Sequence, residues 1–307
     1  MNKLIIIAGP TAVGKTEISV GLAQRLNAEI ISADSMQVYK GMDIGTAKIS
    51  QAEMKQVPHY LIDVLSPFED FNITRFQSMA QEALKTIYNN KHIPILAGGT
   101  GFYIQSLLYE IAFNDRASGN SGLRAELEAQ YDKLGADYMY QRLREIDLES
   151  AAAIHKNNKK RLVRAIEYFL LTGDKISAHN KKQKENKSPY DFKYFVLNMD
   201  REILYKRIDL RVDRMMEEGL VDEVKRLKAE GLTSKHLSMQ GIGYKQLFPY
   251  LDGQYSLSKA IELIKKETRH FAKRQLTWFK REKAAIWIDV LKYDSKAEII
   301  NEIISCI

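Results

Sequence analysis

The chain has 307 residues, 45% hydrophobic and 28% charged, with a net charge of +7 and a pI near 9.1. This composition is that of a globular protein large enough for one big domain or two modest ones, and its longest apolar runs are strand-sized, which excludes a membrane-spanning helix. A lone cysteine, Cys306, and six scattered histidines exclude a disulfide framework and a metal site built from ligand spacing.

The N-terminal residues run straight into a first core strand, so no signal peptide is expected, and a cytoplasmic monomer is the expectation. That strand is the apolar run Leu4–Ala8. It leads into Gly9-Pro-Thr-Ala-Val-Gly-Lys-Thr16, and a helical stripe of Ile18, Leu22 and Leu26 follows. Strand, then G-x-x-x-x-G-K-[ST], then helix is the context in which such a loop cradles phosphates. Its backbone N–H groups form an anion nest at a helix N-terminus. Lys15 adds a positive charge, and Thr16 offers a hydroxyl to a magnesium ion carried by the phosphates.

Glu29–Ala33 reads as a second buried strand, ending at Asp34. Ligands of open α/β sheets sit beyond the C-terminal strand ends, so Asp34 is expected beside the phosphate loop. A helix cap is its other reading. Residues 35–39 and 43–48 read as loop, Leu61–Leu65 as a short strand, and Asn72–Tyr88 as an amphipathic helix. His92–Ala97 is a further strand, entering Gly98-Gly-Thr-Gly101, where close backbone approach to a ligand is expected. This strand end carries no acid of the kind that positions magnesium or water in many P-loop hydrolases. A kinase-like transferase stays open, as does chemistry in which diphosphate is the leaving group.

Beyond Phe113 the strand–helix alternation stops, and residues 115–189 read as an all-helical insertion into an α/β, parallel-sheet core of 1–114 and 190–307. Leu123, Leu127 and Leu134 form one stripe, Tyr140 and Leu143 a second helix, and Lys160–Leu171 a third, stopped by Gly173. Between Lys156 and Lys187 stand ten Lys or Arg against three acids, a window of +7. Such a stripe is an electrostatic footprint for polyanions; a solvated face with a charged linker at 181–189 is the alternative. Phe192–Leu197 resumes the sheet, and Asp200 caps a helix bearing Arg207, Arg211 and Arg214 on one side. These arginines fit a phosphate clamp or partners for Asp209, Asp213 and Glu217. Met239–Lys245 reads as a glycine-punctuated loop, Phe271–Arg281 mixes basic and aromatic residues as RNA surfaces do, with Trp278 and Phe279 as core the alternative, and Ala285–Asp289 is the last strand.

Taken together, GPTAVGKT (9–16), DSMQVY (34–39), DIGTAK (43–48), PHYLID (58–63), GGTGFY (98–103), RLVRAIE (161–167), RVDRMMEEG (211–219), GIGYK (241–245) and RQLTWF (274–279) resemble the bacterial tRNA dimethylallyltransferases. The resemblance runs nearly end to end; Tyr60, Ile166 and Gln240 depart from the usual pattern. It implies transfer of a dimethylallyl group from dimethylallyl diphosphate to the exocyclic 6-amino group of the adenosine beside the anticodon, position 37, with release of diphosphate. It implies that Gly9, Pro10, Thr11, Ala12, Val13, Gly14, Lys15 and Thr16 hold the diphosphate with Mg2+, joined by Arg211. Asp34 resembles the family's general base. Thr100, Ser35, Met36 and Gln37 should touch the RNA, as should Arg124, Lys160, Arg161 and Arg164, with the insertion on the anticodon stem-loop. A small-molecule P-loop kinase, an adenylate isopentenyltransferase and a non-catalytic RNA-binding protein are the competing readings.

Overall fold

A computed structural model describes residues 2–113 and 121–307. The boundary expected at 114/115 lies outside them. The chain divides into two compact units, Met1–Leu108 with Pro189–Ile307, and Tyr109–Ser188.

The first unit is built on six parallel strands, β1 (Asn2–Ala8), β2 (Ala28–Ala33), β3 (His59–Tyr60), β4 (Ile93–Gly98), β5 (Tyr190–Asn198) and β6 (Ala285–Asp289), in the order β3-β2-β4-β1-β5-β6. A central parallel strand is covered on both faces, which is why Leu4–Ala8 is continuously apolar rather than alternating. Ile5 and Ile7 share one cluster with Ile30, Ile95, Phe195 and Leu197, while Leu4 and Ile6 are equally buried on the opposite face. Burying one such side chain stabilises the fold by about 1.5–3 kcal/mol.

Four helices precede the second unit: α1 (Lys15–Leu26), the single turn α2 (Gln51–Met54), α3 (Ile73–Asn89) and α4 (Gly101–Leu108). The second unit contains α5 (Ser121–Leu134), α6 (Ala136–Ile146), α7 (Leu148–Ala153), α8 (Lys159–Thr172) and α9 (Ile176–Lys184). Its core joins Leu127, Met139, Leu143, Leu162, Val163 and Ile166. After it come α10 (Arg201–Glu217), α11 (Leu220–Ala229), α12 (Tyr244–Leu251), α13 (Leu257–Phe279) and α14 (Lys296–Ser305). Among the described residues no helix is long and apolar enough to cross a membrane.

Four sequence expectations are corrected. Leu61–Leu65 is not a strand: β3 stops at Tyr60, and Leu61 (φ 63°) and Asp63 (φ 54°) take left-handed turns no strand contains. Lys48 holds that turn, its ammonium donating to Asp63, Asp43 and the Tyr39 carbonyl. Lys181–Lys184 belongs to α9 rather than to a linker, because Ser177 in its first turn donates through both N–H and hydroxyl to the buried Asp147. Leu134, at the end of α5, is 47% exposed and outside the stripe it was expected to extend. Tyr244 and Lys245 open α12 rather than lying in a loop.

Candidate active site

Three strand ends build the site. In register, Gly98 lies level with Ala8 of β1 on one side and with Ala33 of β2 on the other. The residues that follow, Gly9, Gly99 and Asp34, therefore leave the sheet along one edge. Neighbouring strands are about 4.8 Å apart, so Asp34 starts only about two strand spacings from the phosphate loop. Gly98 is required at this level, since a Cβ there would stand 2.3 Å from the Ala33 carbonyl oxygen.

The loop closes into α1 through Gly14, whose φ of 103° favours glycine. Lys15 folds back over the loop, Nζ donating to the carbonyls of Gly9 at 3.0 Å and Pro10 at 2.8 Å. A cavity opens in front of it. Its polar wall includes Thr11, Lys15, Thr16, Asp34 and Arg211, and its apolar wall includes Ile30, Ile49, Ile62 and Phe271.

Asp34 lines the cavity, and one of its two carboxylate oxygens caps the turn that follows β2. Oδ1 accepts from the N–H groups of Met36 at 2.8 Å and Gln37 at 3.3 Å, capping the turn. Oδ2 has no hydrogen-bond partner among the described residues. Gln37 lines the cavity, and Ser35 and Met36 lie in the capped turn outside it. Thr100 begins the turn into α4, its N–H donating to the Ala33 carbonyl, and is likewise outside the cavity lining.

Of Arg207, Arg211 and Arg214 on α10, Arg211 reaches the cavity, its Nη1 3.5 Å from the Thr11 hydroxyl. Two of the three acids expected as alternative partners are engaged elsewhere: Asp209 pairs with Arg269 at 2.5 Å and Asp213 with Lys265 at 2.6 Å, two rungs between α10 and α13. Arg207 faces Met199, and Arg214 is exposed.

Lys15 retains a partly open surface toward the cavity, but protein encloses its ammonium. Burial, and then the charge of Arg211, push its pKa down to about 7 against the opposing pull of Asp34. A diphosphate bound beside Lys15 would add negative charge and raise that pKa, so binding near neutrality would take up a proton. Below about pH 6 the ammonium is already formed and the uptake vanishes. Calorimetry of dimethylallyl diphosphate binding in buffers of different ionisation enthalpy should therefore show greater proton uptake at about pH 8 for the native chain than for Lys15→Met. Equal uptake by the two would exclude this titration.

Two residues were missed from sequence. Gln275 is buried on α13, where Oε1 accepts from the Thr11 N–H at 2.9 Å and Nε2 donates to the Gly99 carbonyl at 3.0 Å. It ties the phosphate loop to the glycine loop of β4. Phe271, one helical turn earlier, lines the cavity. An uncharged Gln placed i+4 from an aromatic residue amid exposed cations was the available signal. For Phe279 the core alternative holds: it is fully buried.

In the second unit, buried Glu167 accepts from Arg124 Nε at 3.1 Å and Nη2 at 2.5 Å, and from Arg164 Nη1 at 3.2 Å. Lys160 and Arg161 are exposed and have no ion-pair partner among the described residues.

Fold and site together define a P-loop protein whose phosphate cradle faces a carboxylate across a partly apolar cavity, a group-transfer arrangement. The profile of the IPP transferase family matches residues 37–282. The chain belongs to that family. It is 53% identical to a tRNA dimethylallyltransferase of Lachnoclostridium phytofermentans over 99% of this chain and 97% of the relative. The full-length tRNA isopentenylpyrophosphate transferase of Bacillus halodurans is similar in structure, with TM-score 0.75, 44% identity, and coverage of 99% of this chain and 96% of that one. A eukaryotic dimethylallyltransferase solved acting on tRNA gives TM-score 0.83 at 30% identity, covering 99% and 80%. The kinase reading has no support among these relatives.

Proposed function

We infer that this chain transfers the dimethylallyl group of dimethylallyl diphosphate to the exocyclic 6-amino group of an adenosine in tRNA, at position 37 beside the anticodon, releasing diphosphate. One observation carries the reading: a cationic phosphate cradle and an unpartnered carboxylate oxygen share one cavity, and that cavity has an apolar wall.

In this reading the diphosphate lies in the 9–16 loop against Lys15 and Arg211, and the five-carbon chain rests on Ile30, Ile49, Ile62 and Phe271. The allylic carbon–oxygen bond breaks as the amine nitrogen forms its bond to the same carbon, and the electron pair leaves on diphosphate. Neutralising that leaving group is the main electrostatic task, and it falls to fixed cations beside the phosphates. The amine loses a proton as it attacks, and Asp34 Oδ2 receives it. Among the described residues no cluster of three His, Cys, Asp or Glu side chains could hold a metal by itself. The Thr16 hydroxyl on the cavity wall is a hard oxygen donor suited to Mg2+ carried by the diphosphate, where the ion would supply further charge neutralisation. A loop base is cheap to unstack into such a cavity.

The second unit is the proposed grip on the anticodon stem-loop, through Arg124, Lys160, Arg161 and Arg164. Changing Lys160, Arg161 and Arg164 to Ala should weaken tRNA binding and flatten its log–log salt dependence by roughly one unit per lost phosphate contact. Wild-type affinity and slope in that variant would place the footprint elsewhere. The activity itself is tested by incubating unmodified tRNA with dimethylallyl diphosphate and magnesium and digesting to nucleosides for mass analysis. A dimethylallyl adduct on an adenosine next to the anticodon is expected; an unmodified tRNA would sink the reading.

A further inference from the structure

Outside the cavity, α11 presents a buried carboxylate to the backbone of the 43–48 segment. Glu223 Oε2 accepts from the N–H groups of Asp43 and Ile44, both at 2.8 Å. Its Oε1 accepts from the Gly45 N–H at 3.1 Å and from the Tyr244 hydroxyl at 2.6 Å. Consecutive N–H groups turned to one side make a nest for an anion. Here the anion is a side chain 8% exposed and absent from the cavity lining. Shape reinforces charge, because the Tyr244 ring occupies the space a Cβ at Gly45 would need, with Cε2 and Cζ both 2.6 Å away.

What this clamp holds is part of the cavity wall. Thr46 and Ala47 follow the nest directly and line the cavity. Their carbonyls accept from Gln37 Nε2 at 3.4 Å and 3.3 Å, and Gln37 in turn donates its N–H to Asp34. The bonds on Gln37 are long, so a small drift of the 46–47 carbonyls would release its amide. The bonds on Glu223 are short and several, as a fixed point requires.

We propose that Glu223 is a positioning residue for the transfer reaction. It fixes the 43–47 segment so that the Thr46 and Ala47 carbonyls orient the Gln37 amide beside Asp34, and it acts on placement of the RNA base rather than on the diphosphate. The proposal rests on the assignment of this cavity to dimethylallyl transfer. A buried charge is costly to retain unless it is fully bonded, and Glu223 uses every bond on this one segment and the tyrosine behind it.

The test uses the full chain with tRNA and dimethylallyl diphosphate. Glu223→Gln keeps shape but offers one acceptor oxygen in place of two. Its kcat/KM for tRNA should fall on the order of 10- to 100-fold, the scale of a small misplacement from a distant change. The KM for dimethylallyl diphosphate and the salt slope of tRNA binding should not move. Gln37→Ala should fall comparably, and the double variant should be no worse than the poorer single one, since both changes break the same linkage. Gly45→Ala, which keeps the carboxylate but drives the loop off the Tyr244 ring, should reproduce the loss. It carries the test, with Tyr244→Phe, if Glu223→Gln does not fold. Wild-type kcat/KM in Glu223→Gln, or in both Gly45→Ala and Tyr244→Phe, would overturn the proposal. So would losses that add with Gln37→Ala, or an equal rise in KM for the diphosphate. A wild-type rate in Gln37→Ala beside a slow Glu223→Gln would overturn the route through Gln37. Absence of transfer by the unsubstituted chain would instead sink the underlying assignment, and this proposal with it.

Discussion

Asp34→Asn is expected to lower the single-turnover transfer rate by about 10²–10⁴-fold, the usual contribution of general-base help, while tRNA affinity stays near the native value. The geometry makes this substitution a clean one. Oδ1 caps the 35–37 turn by accepting from Met36 and Gln37, and an asparagine oxygen accepts the same bonds. The turn therefore survives, and only the second oxygen changes, from an unpartnered acceptor to an amide that cannot take the amine's proton. Loss of a uniform binding contact would raise KM and leave kcat unchanged. Rapid-quench transfer with both substrates saturating separates the two outcomes. A near-native rate there would reduce Asp34 to a cap, and the base would have to be sought among the other groups on the cavity wall.

The parts of the site that could be read from sequence are those where chemistry is written in a contiguous stretch or at a strand end. The 9–16 loop is a linear motif, and Asp34 followed from the rule that strand C-termini face the ligand. The missing acid after β4 was also legible, because it concerns one strand and the residues next to it. Contacts between distant segments were not. Gln275 meets Thr11 and Gly99 only because α13 crosses both loops, and its local signal, an uncharged side chain among cations, does not say which loops it will join. Glu223 was hidden in the same way, as one more acid on a charged helix. Leu61–Leu65 misled because hydrophobicity reports burial and not backbone direction. Leu61 and Leu65 are indeed buried, but on a turn held by Lys48 rather than in the sheet. Lys181–Lys184 misled in the opposite sense: a run of cations reads as linker, yet charges on a helix's outer face are compatible with an anchored first turn. Arg207, Arg211 and Arg214 were ambiguous because their choice between phosphate and acid depended on α13, whose Lys265 and Arg269 take Asp213 and Asp209.

Arg211→Gln should cost on the order of 10²–10³-fold in kcat, the scale for removing one preorganised group that stabilises developing negative charge. Arg211 enters the cavity from α10 and among the described residues is bonded there only to the Thr11 hydroxyl at 3.5 Å, so its removal leaves the backbone of the 9–16 loop intact. Lys15 is a poorer probe, since its ammonium also satisfies the carbonyls of Gly9 and Pro10. Burial lowers the Arg211 pKa, with Asp34 opposing, but a guanidinium remains charged throughout the working range. Its field acts on its neighbour as well: it is the second cause, after burial, of the depression of the Lys15 pKa to about 7. Removing it should therefore move the Lys15 pKa upward. Lys15 would then be protonated before the diphosphate arrives, and the proton uptake on binding near neutral pH should shrink. The variant thus makes two linked claims of opposite sense, slower transfer and a more fully charged lysine. Arg211→Lys, which keeps a positive charge but not the planar fork, should recover part of the rate. Calorimetry of dimethylallyl diphosphate binding and single-turnover transfer on the same preparations read both. Slow transfer by Arg211→Gln with undiminished proton uptake would mean that Arg211 does not act on Lys15, and a native rate would remove it from the diphosphate site.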